Sequence, residues 1–189
     1  MGVIKVKKAA VFLAEGFEEI EALTVVDILR RANVKCDMVS IDKIDVNGGH
    51  NILVKADKVL SDEIKEYDLM VLPGGMPGTT NLQKTSKLIE LIKYFDENKK
   101  LIGAICAAPI VLATAEIIEG RNITSYPGFE DELKGCNYID NEVVVVDNNI
   151  ITSRGPATAI EFSYKLLESL GEDSYKDLRE GMMYNFLIK

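Results

Sequence analysis

The chain of 189 residues contains one histidine, His50, and three cysteines, Cys36, Cys106 and Cys136. The cysteines are odd in number, far apart and never arranged as CxxC, which excludes a disulfide framework and a zinc-finger type of site. Such usage fits reduced thiols in a cytoplasmic protein. No apolar run approaches the ~20 residues needed to span a bilayer, so no membrane role is expected. Neither a GxxxxGK[ST] loop nor a helix-opening GxGxxG occurs, so there is no fingerprint for nucleoside triphosphates or dinucleotides. Basic residues are outnumbered: 22 Lys and Arg against 30 Asp and Glu give a formal net charge of -8. A phosphate backbone needs a basic surface, so nucleic acid is not an expected partner.

What remains is a chain that is 47% hydrophobic and 28% charged, the balance of a folded domain. No repeat or linker interrupts it, and residues 1–189 read as a single domain. Met1–Leu13 has no small-residue cleavage site and reads as a first strand with Ala9–Leu13 at its core. Glu18, Glu19 and Glu21 then occupy the first turn of a helix reaching about Ala32, where negative charge opposes the helix dipole. That helix is apolar on more than one side, as if covered both by its own sheet and by a second subunit. Strands are expected at Cys36–Ile41, Leu69–Leu72 and Leu101–Ile105. Hairpins are expected around Asn47-Gly48-Gly49, with glycines supplying positive φ, and around Asp147-Asn148-Asn149. Helices are expected at Ser86–Asn98, from Pro109 to about Ile118, over Ala157–Leu170 and over Ser174–Met183. Strands alternating with helices imply a mostly parallel sheet covered on both faces. Sites in such sheets form at the carboxyl ends of strands. Three loops lie at such ends, Ala14–Glu21, Pro73–Gly78 and Cys106–Pro109, and they converge only if their strands are neighbours.

Cys106 is flanked by small residues in Gly103-Ala104-Ile105-Cys106-Ala107-Ala108, between a core strand and a helix start. A nucleophile elbow requires that setting, because bulky neighbours clash in so tight a turn. The helix behind it is expected to lower the thiol pKa. The alternative is a small buried hydrophobe, the usual role of a free cysteine; Cys36 and Cys136 have no elbow setting and are expected to be structural or incidental. Glu21 either leans over the sheet end as a carboxyl with raised pKa, or is solvated like Glu18 and Glu19. Gly74-Gly75 can offer backbone N–H groups to an anion, or simply make a turn. His50 sits in the first hairpin, away in sequence from these loops, and a Cys-His dyad through it is not expected.

Four stretches in order, Leu13–Glu21, Val71–Gly75, Ala104–Pro109 and Thr152–Thr158, span nearly the whole chain. Through them the sequence resembles the ThiJ/PfpI superfamily, and within it the DJ-one branch, the parkinsonism-associated protein deglycase group. The resemblance implies a flavodoxin-like three-layer sandwich, related to class I glutamine amidotransferases, and a homodimer that buries the first helix. It implies Cys106 as nucleophile, Glu21 as the protonated carboxyl beside it, and the Gly75 and Ala107 amides as donors to an oxyanion. Gly74, Tyr126, Arg154 and Pro156 would line the site, with no metal and no cofactor. The protease and amidotransferase branches carry a histidine directly after the cysteine or a late His-x-Glu pair. Here Ala107 follows Cys106 and no histidine follows His50, which disfavours both chemistries. Human-type members place a histidine in the segment matching Thr124–Pro127, where this chain has Tyr126. A phenol has an ordinary pKa of ~10 and is a poor neutral-pH base, though it can donate a hydrogen bond; either a mechanism by histidine proton transfer does not operate here or that task passes to Glu21.

Two functions follow as expectations. One is a thiol-dependent glyoxalase or deglycase, a hydrolase acting on methylglyoxal, related carbonyl electrophiles or glycated side chains. The other is a redox-sensing, chaperone-like protein of oxidative stress whose Cys106 oxidises to sulfinate. A thiamine-pathway role has no phosphate-handling site to support it.

Overall fold

The computed structural model describes residues 6–188. Its elements are β1 (Lys8–Leu13), α1 (Glu19–Arg31), β2 (Lys35–Ser40), β3 (Asp45–Asn47), β4 (Leu53–Lys55), β5 (Lys58–Val59) and β6 (Leu69–Leu72). There follow α2 (Gly78–Gln83), α3 (Ser86–Glu97), β7 (Leu101–Ile105), α4 (Pro109–Thr114), β8 (Asn122–Ile123) and β9 (Asn137–Tyr138). The chain continues through β10 (Val144–Asp147), β11 (Ile150–Ser153), α5 (Ala159–Ser169), α6 (Tyr175–Gly181) and α7 (Tyr184–Leu187). The first-strand expectation holds from Lys8; residues 1–5 lie outside the described residues.

The central sheet runs β10-β11-β7-β6-β1-β2-β5 and is parallel except for the β10–β11 hairpin. Strand residues alternate between faces, and this chain uses both. Ala9, Val11 and Leu13 of β1 pack with α1 and α5, while Ala10 and Phe12 pack with α3 and α4. Leu69 and Val71 of β6 go to the first face, Met70 and Leu72 to the second. A strand buried on both faces reads as a continuous apolar run, which is why these were legible. The result is the flavodoxin-like sandwich. The second apolar side of α1 packs against α5 of the same chain, while Ile20 stays exposed.

Strand order places the reversal between β1 and β6: the chain leaves β1 toward β2 and returns to β1's other side as β6. β7 is the next neighbour, so the loops after β1, β6 and β7 converge at one sheet edge.

Three local readings change. The helix from Pro109 ends at Thr114, because Glu116 takes a left-handed φ of 60°. A short helix, α2, occupies Gly78–Gln83, beginning at the last residue of the expected Pro73–Gly78 turn, in a stretch for which the sequence suggested no element. In the β3–β4 hairpin the positive φ belongs to Asn51 (61°). Gly48 is there for close approach: a Cβ on it would stand 2.2 Å from Glu19 Oε1.

Phe162 of α5 is fully buried against β7. Phe162→Ala is expected to lower unfolding free energy by ~3–5 kcal/mol in urea titration. A loss below about 1 kcal/mol would show that α5 is not a working layer of the core.

Candidate functional site

β7 ends at Ile105 and the chain turns at Cys106, which has a φ of 64°. A non-glycine residue holds that conformation only when its surroundings fix it. Two hydrogen bonds do so: the Cys106 N–H donates to the Ser153 carbonyl at 3.0 Å, and the Tyr126 N–H donates to the Cys106 carbonyl at 2.9 Å. Pro109 then opens α4. The backbone is that of the expected elbow.

Glu21, in the first turn of α1, is fully buried. Its Oε2 accepts the Gly74 N–H at 2.7 Å, and its carboxyl is hydrogen-bonded to the Cys106 thiol. Its Oε1 is buried without a partner, an arrangement far costlier for an ionised carboxyl than for a protonated one. Gly74 has no room for a side chain: a Cβ would lie 2.8 Å from Cys106 Cβ, 2.9 Å from Glu21 Oε2 and 3.0 Å from the Ala107 nitrogen. The N–H groups of Gly75 and Ala107 both point to the Cys106 sulfur. The structure thus brings together Cys106, Glu21, Gly74, Gly75 and Ala107.

Burial pushes the Glu21 carboxyl up to about 7, against the hydrogen bonds from Cys106 and Gly74. Burial, and then the Glu21 charge, push the Cys106 thiol up to about 12, against the two N–H groups on its sulfur. The expectation of a helix-lowered thiol is therefore corrected. The helix is only six residues long, and its dipole is outweighed by burial beside a carboxylate. Thiol–carboxylate and thiolate–carboxylic acid are tautomers of one singly charged unit, joined by that hydrogen bond.

Tyr126 borders this unit through its backbone, and its ring lies against Gly155 with the side chain half exposed. Arg154 braces the rim: its guanidinium donates to the Asp140 carbonyl at 2.6 Å and to Thr124 Oγ1 at 3.3 Å. Pro156 opens a single helical turn after Gly155, half-buried. His50 joins a different group. Its Nδ1 lies 2.7 Å from Glu19 Oε2 and 3.5 Å from Glu18 Oε2, and its N–H donates to Glu19 Oε1 at 2.8 Å. Glu19 is consequently buried and held below the ordinary carboxylate range by His50, not solvated as the sequence suggested. Cys36 is buried, which pushes its thiol up to about 12.

Sequence reasoning missed Ser153 and the Glu19–His50 brace. Ser153 acts through its carbonyl, which no side-chain pattern announces. The brace depends on the hairpin docking onto α1, through Gly49 N–H to the Phe17 carbonyl at 2.8 Å.

A mostly parallel sandwich with a cysteine elbow facing a buried carboxyl defines a class, and comparison with known proteins gives it a name. The chain belongs to the DJ-1/PfpI family, whose model matches residues 7–169. It is 37% identical over 186 residues to Protein dj-1beta of Drosophila melanogaster, covering 94% of this chain and 97% of that one. The crystal structure of Drosophila melanogaster DJ-1beta superposes with a TM-score of 0.90 at 35% identity, over 95% of this chain and 98% of that one. Oxidized Toxoplasma gondii DJ-1 superposes with a TM-score of 0.86 at 34% identity, over 94% and 98% of the two chains.

Folded Glu21 keeps its proton to about 7, whereas an ordinary glutamate loses it near 4.5. Folding therefore takes up a proton between these values. The stability that the protonated carboxyl contributes is full below ~4.5 and is lost as pH rises through about 7. Glu21→Gln buries no charge, so it should be more stable than wild type at about pH 8, by up to ~3 kcal/mol. In urea unfolding this advantage should shrink steadily toward about pH 5; an advantage independent of pH would contradict the assignment.

Proposed function

We propose that this protein is a cofactor-free stress-protection protein whose Cys106 acts on small reactive carbonyls, converting methylglyoxal to lactate or releasing glyoxal-type adducts from protein side chains. The observation that carries this reading is the hydrogen bond between the Cys106 thiol and a buried carboxyl with a pKa of about 7. A general base works best when its pKa lies near the operating pH, and Glu21 meets that condition without a histidine. As Cys106 Sγ bonds to the aldehyde carbon, Glu21 takes the thiol proton and passes it to the carbonyl oxygen, which becomes the hemithioacetal hydroxyl, and Glu21 is again a carboxylate. The Gly75 and Ala107 amides, freed from the sulfur, stabilise the oxygen as charge develops. Glu21 then moves the proton from the former aldehyde carbon to the neighbouring carbonyl carbon by way of an enediol. One carbon is oxidised and its neighbour reduced, so no external redox partner is needed. Water hydrolyses the resulting lactoyl thioester and returns the thiol. Tyr126 has no proton-transfer duty in this sequence.

Under excess methylglyoxal the wild type should release many equivalents of lactate, Cys106→Ser none, and Glu21→Gln ~10²–10⁴-fold less per unit time. Wild-type turnover that stops at one equivalent, or Cys106→Ser that retains it, would rule this function out.

The sulfur's surroundings favour a second reading. Two N–H groups and one carboxyl converge on a single partly exposed thiol, which suits the oxygens of a sulfinate. One equivalent of peroxide takes the thiol to sulfenic acid and a second to sulfinic acid, each releasing water. Peptide mass spectrometry after mild peroxide should then find sulfinate at Cys106 and none at Cys36; equal oxidation of the two would dismiss it.

A further inference from the structure

Glu18, Glu19 and His50 bring one imidazole nitrogen and two carboxylate oxygens within 4.8 Å of one another. Glu18 caps the start of α1 and Glu19 opens it, while His50 comes from the turn between β3 and β4. Cys106 is not among the donors. The side chains of Glu18 and Glu19 are only 13% and 5% exposed, so both charges are largely withdrawn from water. Among the described residues no lysine or arginine pairs with either, and the Glu18 carboxylate accepts no hydrogen bond. Even a protonated His50 leaves one negative charge unmatched, whereas a divalent cation cancels both.

The donor set chooses among cations. Three protein ligands are too few for calcium, which takes about 6–8 oxygens, and magnesium does not favour nitrogen. Imidazole beside carboxylates suits zinc and its first-row neighbours. In a tetrahedral zinc site adjacent ligand atoms stand ~3.3 Å apart. His50 Nδ1 lies 2.7 Å from Glu19 Oε2 and 3.5 Å from Glu18 Oε2, on either side of that spacing. The His50 side chain is 69% exposed, which leaves the ring free to adjust and water free to fill the fourth position. Glu19 is already oriented, because its Oε1 accepts the His50 N–H at 2.8 Å and Gly48 leaves it the space a Cβ would take. Outer hydrogen bonds of this kind hold a metal-binding carboxylate in place.

We propose that Glu18, Glu19 and His50 bind one divalent transition-metal ion of the zinc type, apart from the Cys106 chemistry, and that the ion fastens the β3–β4 hairpin to the start of α1. The ion replaces the hydrogen between His50 Nδ1 and Glu19 Oε2, and that proton leaves to water. The probe is zinc chloride, titrated into the nitrogen-15-labelled full chain. His50 is the only histidine, so its ring signals are unambiguous. One equivalent of zinc should saturate a shift of the His50 ring, larger at Nδ1 than at Nε2, and magnesium should bind at least about 100-fold more weakly. Measured by competition with a chromophoric chelator, His50→Gln and Glu18→Gln should each weaken zinc by about tenfold or more. His50→Gln changes an exposed side chain, and the backbone amide spectrum of each variant reports its fold. Cys106→Ser should leave the affinity within about twofold. No saturable shift of the His50 ring under a tenfold excess of zinc, equal binding of magnesium, or a folded His50→Gln that keeps wild-type affinity would each overturn the proposal. Loss of binding in Cys106→Ser would place the ion on the thiol and overturn it as well.

Discussion

The hydrogen bond from the Gly74 amide to the buried Glu21 carboxyl is the constraint on which the site depends. It spans 53 residues of sequence and ties the helix after β1 to the loop after β6. A carboxyl with no exposure to water survives only where some group accepts the desolvation, and here the compensation is this N–H together with the Cys106 thiol. The sheet order is what makes the contact available: β1, β6 and β7 are consecutive neighbours, so three loops far apart in the chain end within one hydrogen bond of one another.

From that bond the electrostatics follow. Burial raises the acid and the thiol together, so neither behaves as an isolated group would. Under the proposed function the site works by moving a proton across a short distance rather than by holding a permanently ionised thiolate. The strained backbone at Cys106 is stabilised on both sides, by Ser153 of β11 and by Tyr126 of the 124–127 segment. Thr152–Thr158 enters the site here, supplying a strand carbonyl and Arg154, a brace for Thr124.

Most of this architecture was legible because it is written in side-chain period and size. The runs at Ala9–Leu13, Leu69–Leu72 and Leu101–Ile105 are apolar on both faces, and each became a central strand. Cys106 stood out through its small neighbours. What could not be read was set by tertiary contact. Glu19 and Glu21 look alike in sequence, two acids in one helical turn, yet the first meets His50 and the second meets a thiol. The direction of the thiol shift was misjudged for the same reason: a local helix start was visible, whereas burial beside Glu21 required the fold.

The central claim is that Glu21 is the proton-holding partner of Cys106 at neutral pH. Infrared difference spectroscopy tests it directly, through the protonated-carboxyl stretch that disappears in Glu21→Gln. The account predicts that this band titrates away with a midpoint of about 7. A midpoint near the ordinary 4.5 would mean that Glu21 is ionised throughout and that the proton-sharing unit described here does not exist.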